Sequence, residues 1–81
     1  DIGSWNVSKV IYMQNMFYNC HQFNKNISNW NVANVINMKS MFYNCPSFNQ
    51  NISTWNVANV NNMYYLNFYL HLWFEVFQNH P

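Results

Sequence analysis

Residues 27–51 read ISNWNVANVINMKSMFYNCPSFNQN, and nearly the same phrase stands on either side of them. Residues 2–26, IGSWNVSKVIYMQNMFYNCHQFNKN, match it at 15 of 25 positions without a gap. Residues 52–64 open ISTWNVANVNNM, which agrees with the second unit at 10 of 12 positions. A self-similar period of this length marks units that cannot bury their apolar side alone and do so against their neighbours.

Within the second unit the apolar residues are Ile27, Trp30, Val32, Val35, Met38, Met41, Phe42, Cys45 and Phe48. Trp30 and Val32 alternate with Asn31, as in a short strand. From Val35 the apolar steps run three, three, one and three, which places Val35, Met38, Met41, Phe42 and Cys45 on one side of a helix or of tight 3₁₀-like turns. Asn44, Pro46 and Ser47 then read as a turn leading out.

The expected fold is therefore an α/β solenoid, a leucine-rich-repeat-like stack of 25-residue coils. Each coil has a short parallel strand (near Trp5–Val7, Trp30–Val32 and Trp55–Val57) and one helical arm. Stacking predicts internal columns of Trp5, Trp30 and Trp55, of Val7, Val32 and Val57, and of Met13, Met38 and Met63. Residues 1–64 form the repeat region, with units 2–26, 27–51 and 52–64. The pattern breaks at Tyr64, so residues 65–81 read either as a degenerate capping coil or as an apolar tail foreign to the repeat.

The unit Trp-Asn-Val…Asn-Val…Met…Met-Phe-Tyr-Asn-Cys…Phe-Asn, at Trp5–Asn24 and Trp30–Asn49 with a partial copy at Trp55–Met63, resembles the repeat of mycoplasma-type surface proteins, a domain of unknown function. Its Val-x-x-Met-x-x-Met-Phe-x-x-Cys-x-x-Phe run also looks like the BspA-type subclass of leucine-rich repeats. The resemblance implies a module of secreted or surface-anchored proteins, often lipoproteins, engaged in adhesion and protein–protein contact. It implies an extracellular or cell-surface location and no catalytic residue.

Composition narrows the function. Of 81 residues only 6% are charged: Asp1, Glu75, Lys9, Lys25 and Lys39. Two carboxylates and three histidines leave little acid–base chemistry to arrange, so no enzyme is expected. Three lysines and no arginine give no footprint for nucleic acid. Tyr64–Phe77 is shorter than the ~20 residues a spanning helix needs, so membrane attachment would come only through an anchor outside this chain. The chain reads as a piece of something longer, expected to be monomeric, with no cofactor and no metal site.

Asparagine dominates the polar residues, with 18 in the chain. Asn6, Asn31 and Asn56 are expected to point outward as a row of amides, either bonding one another along the stack or facing a partner. With Ser4, Asn29 and Thr54 they form the candidate contact face, uncharged throughout. Asn34 and Asn59 are expected to bond the turning backbone. Cys20 and Cys45 share a repeat position and read as buried thiols. His21, replaced by Pro46 in the next unit, reads as a surface turn. His71 and Glu75 lie on the irregular tail. Asn6-Val7-Ser8, Asn26-Ile27-Ser28 and Asn51-Ile52-Ser53 match the glycosylation acceptor pattern, which an Asn-rich repeat produces cheaply. Two further readings stand beside the contact module: a structural spacer, and a degenerate fragment without independent function.

Overall fold

In the computed structural model, which describes residues 2–66, a backbone ladder lies further along each unit than the expected strands. The N–H groups of Met13, Asn15, Phe17 and Asn19 donate to the carbonyls of Asn37, Lys39, Met41 and Tyr43, each at 2.9 Å. One unit on, Met38, Ser40 and Phe42 donate to Asn62, Tyr64 and Leu66 at 2.8–2.9 Å. Ile36 and Asn61 donate the other way, to Ile11 and Ile36. Three layers result, formed by residues 2–26, 27–51 and 52–66. Tyr12, Asn37 and Asn62 form isolated parallel bridges across them.

The α/β solenoid of strands and helical arms is not what forms. The described residues hold no sheet and no α-helix; the one helical element is a 3₁₀ turn, Ile2–Ser4. The expected strands fail because Trp5, Trp30 and Trp55 donate their N–H groups to Ile2, Ile27 and Ile52, which closes turns. The intervening asparagines then brace the backbone two residues on. The Asn31 and Asn56 Oδ1 atoms accept the N–H groups of Ala33 and Ala58 at 3.1 Å. Alternation there reflects such side-chain turns and not a pleat.

The helical arm fails for a bookkeeping reason. Each residue has one N–H. Those of Met13, Asn15, Phe17 and Asn19 go to the neighbouring layer, so none remains for a carbonyl four residues back. What stays local is a run of turns closed three residues back: Met16 to Met13, Tyr18 to Asn15 and Cys20 to Phe17, with Met41 to Met38 and Tyr43 to Ser40 in the second layer. Asn15, Asn19, Ser40, Asn44 and Tyr65 sit at φ of 54–61° and break any helix between the turns. Asparagine tolerates that left-handed region better than most residues, which suits Asn15, Asn19 and Asn44 to the turn points.

Inside the layers the apolar positions stack like over like. Trp30 lies between Trp5 and Trp55, with ring centroids 6.5 and 6.4 Å away and planes within 9° of parallel. Phe17 stacks on Phe42 at 5.7 Å, and Phe23 on Phe48 at 5.5 Å. Val32, Val35, Met38, Met41, Phe42 and Cys45 are buried completely or nearly so. Tyr65 and Leu66 continue the third layer: the Leu66 side chain is buried and its carbonyl accepts from Phe42. The result is a compact body of 27 × 25 × 19 Å. The rest of the tail, His71 and Glu75 included, lies outside the described residues.

The two thiols illustrate the packing. Cys45 is buried and its thiol donates to the Cys20 carbonyl at 3.1 Å; both cysteines are free. Burial, and secondarily the proximity of Cys20, push the Cys45 thiol up to about 11. A thiol whose folded pKa lies above its unfolded value supports the fold below the unfolded value and withdraws that support as pH rises through the folded one. Stability should fall between about pH 9 and 11. Melting temperatures measured across that window should drop more for the native chain than for Cys45→Val. Equal drops would show that the thiol ionises without cost.

Candidate functional site

The outward positions named from the sequence are all exposed, but the structure divides them. Asn29 and Thr54, at one repeat position on adjacent layers, line a hollow of about 280 Å³ with Asn26, Ser28, Gln50 and Asn51. Every group in it is an amide or a hydroxyl. Gln50 is held there from below: its amide donates to the Asn24 carbonyl and side chain at 3.2 and 3.0 Å. No described residue hydrogen-bonds the Asn29 or Thr54 side chain, so both are available to a partner. Ser4 closes the 3₁₀ turn in the same repeat position.

Asn6, Asn31 and Asn56 do not form the expected row of mutually bonded amides. Each turns its Oδ1 inward on its own chain; Asn6 accepts both the N–H and the hydroxyl of Ser8, at 3.1 and 2.7 Å. Asn26 and Asn51 accept in the same way from Ser28 and Ser53. The three Asn-x-Ser matches are thus turn braces.

The amides that link layers are others. Asn34 and Asn59 donate to the carbonyls of Ser8 and Ala33 at 2.8 Å, one layer away and not within their own turns. Asn44 donates to Asn19 Oδ1 at 2.9 Å and lies 3.0 Å from His21 Nε2. The signal for these ties was present: each recurs at the 25-residue interval, and Lys9 holds the Asn34 place where no described layer precedes it.

Two further hollows flank the stack. One, of about 560 Å³, is lined by Lys9, Ile11, Asn34, Ile36 and Asn59. The other, of about 350 Å³, is lined by Tyr18, Lys39, Ser40, Tyr43 and Tyr65. The Tyr18 and Tyr43 rings stack at 5.2 Å, and Tyr65 meets Tyr43 edge-on. The sequence reading did not single out this tyrosine row, although Tyr18 and Tyr43 repeat in register. Among the described residues no three His, Cys, Asp or Glu side chains converge to hold a metal ion. No helix among them is long and apolar enough to cross a membrane.

The family model described as "Mycoplasma protein of unknown function, DUF285" matches residues 1–74, running past the point where the repeat pattern breaks. It agrees with the mycoplasma-type half of the resemblance and lends nothing to the BspA-type leucine-rich-repeat half. No curated protein and no solved structure matches the chain.

Proposed function

Because the chain belongs to the DUF285 family of Mycoplasma proteins of unknown function, membership brings no activity with it, and we propose from the chain's own geometry that it is a non-enzymatic contact module. Its setting, in this reading, is a secreted or surface-anchored protein, outside the cell or at its surface, and its partner is another protein. One observation supports this above the rest. Asn29 and Thr54 stand side by side in an uncharged hollow, exposed and without a described hydrogen bond, on a turn scaffold that does not need them. Groups of this kind contribute wet, hydrogen-bonded contacts, and they supply no long-range charge steering.

Asn29 is the residue to change, since Asn31 also braces its own turn. Asn29→Lys places an unpaired charge in the hollow while leaving every described hydrogen bond intact. Against a panel of purified extracellular-matrix proteins on a biosensor, a partner of the native chain should lose affinity by about tenfold or more, roughly 1.4 kcal/mol. Its melting temperature should not move, and the native affinity should change little between low and high salt. Binding that survives Asn29→Lys and falls steeply with salt would shift the contact to the edges bearing Lys9, Lys25 and Lys39. Binding to no member of the panel would count against the reading.

A further inference from the structure

The hollow at Asn29 and Thr54 has several of its polar groups fixed in direction. The Asn26 Oδ1 accepts the N–H and the hydroxyl of Ser28 at 2.9 and 2.7 Å, and the Asn51 Oδ1 accepts those of Ser53 at the same distances. Each of these amides keeps its NH₂ end to spare, and the two stand at one repeat position on adjacent layers. Gln50 is held the opposite way. Its NH₂ end is spent on Asn24, which leaves Oε1 as an acceptor without a described partner. Asn29 and Thr54 add an amide and a hydroxyl, each able to donate and to accept. No charged and no aromatic side chain lines the hollow. Lys25, which holds the Gln50 place one layer back, is not part of the lining.

We propose that this hollow binds a neutral saccharide, one pyranose unit carried by the protein partner. A sugar hydroxyl donates and accepts at once. Neighbouring hydroxyls of one ring can therefore engage the fixed donors of Asn26 and Asn51 and the fixed acceptor of Gln50 together. A ligand carboxylate would lie against Gln50 Oε1 with no cation to offset it, and a ligand ammonium would lie against the two NH₂ groups. An apolar side chain would leave all of these groups unpaired. The volume, about 280 Å³, falls just short of the ~300 Å³ at which sites for drug-sized molecules begin, which suits a single ring. Because Asn26, Gln50 and Asn51 are bonded before the ligand arrives, little side-chain freedom is lost on binding. The inference rests on the contact site proposed above and adds the chemistry that it recognises.

An NMR titration tests it, with the isotope-labelled chain and the methyl glycosides of glucose, galactose, mannose and N-acetylglucosamine. At least one glycoside should shift the side-chain NH₂ signals of Asn26, Asn29, Gln50 and Asn51, and the shifts should saturate. Thr54→Val keeps the shape of the residue and removes its hydroxyl. It should weaken that glycoside by about fivefold or more while the rest of the spectrum stays native. The corresponding uronic acid and amino sugar should bind more weakly by about tenfold. Glycerol at equal concentration should shift nothing. Shifts that never saturate, that glycerol reproduces, or that Thr54→Val leaves unchanged overturn the proposal, and so does a preference for the uronic acid or the amino sugar. The two readings fail separately. A protein partner lost with Asn29→Lys, but no glycoside binding, keeps the contact site and removes the saccharide. Saturable glycoside binding with no protein partner on the panel keeps the saccharide and removes the protein.

Discussion

Replacing Trp30 by alanine should leave the chain largely unfolded. Trp30 is 3% exposed and is held on three sides: by Trp5, by Trp55 and by Phe17 at 6.0 Å. Its indole N–H donates to the Ile2 carbonyl at 3.0 Å, so truncation also removes a tie between layers. Buried aromatics cut to alanine cost ~3–5 kcal/mol, because the surroundings collapse only partly into the space. A domain of this size has ~5 kcal/mol to lose. Urea unfolding followed by the remaining tryptophans should show little or no native baseline for Trp30→Ala. Trp5→Ala offers the contrast: the residue is 54% exposed and its loss should cost far less. A Trp30→Ala chain with an unchanged midpoint would mean that the tryptophan column does not carry the core.

Ser40→Pro should be nearly as damaging, and for a backbone reason. Ser40 lies at φ 57°, buried, with its N–H on the Tyr64 carbonyl at 2.8 Å. Proline fixes φ near −65° and has no N–H, so it opposes the turn and cuts the ladder at its centre, at a cost of ~3 kcal/mol or more. Ser40→Gly should do the reverse. Glycine enters the left-handed region without the ~1–2 kcal/mol that other residues spend there, so the midpoint should hold or rise. If both variants melted alike, the left-handed turn would not be what fixes the ladder in place.

The columns were readable because identical residues recur at a fixed interval, and stacking like over like is the only way three such units share a core. Trp5, Trp30 and Trp55 needed no more than that to be stacked, although only Trp30 and Trp55 are buried and Trp5 is exposed. The local path was misread where one spacing serves two backbones. Val35, Met38, Met41 and Cys45 step by threes and fours on a helix, but a run of closed turns gives the same steps. The residues that decide between them are Asn15, Asn19 and Asn44. Asparagine there is a left-handed turn point, and at 18 in the chain its abundance hid the few that matter. Trp30-Asn31-Val32 likewise alternates in a strand or in a braced turn, and the Trp30 N–H on Ile27 and the Ala33 N–H on Asn31 tell which. Asn29 and Thr54 were grouped from their spacing alone, and both line one hollow. Asn34 and Asn59 were assigned to their own turns because a tie to the next layer depends on register that no single unit displays.

The ladder bonds cross from layer to layer, while the covalent chain passes between layers only once per unit. Tension applied at the chain ends therefore loads these bonds one after another, as in opening a zipper, and not all together. Met13, Asn15, Phe17 and Asn19 would release in order as the first layer peels from the second. Each layer set free adds one unit of slack, about 80–90 Å of extended chain for 25 residues. Stretched at its ends, such a body would yield layer by layer, behaving as an extensible strap and not as a brittle link.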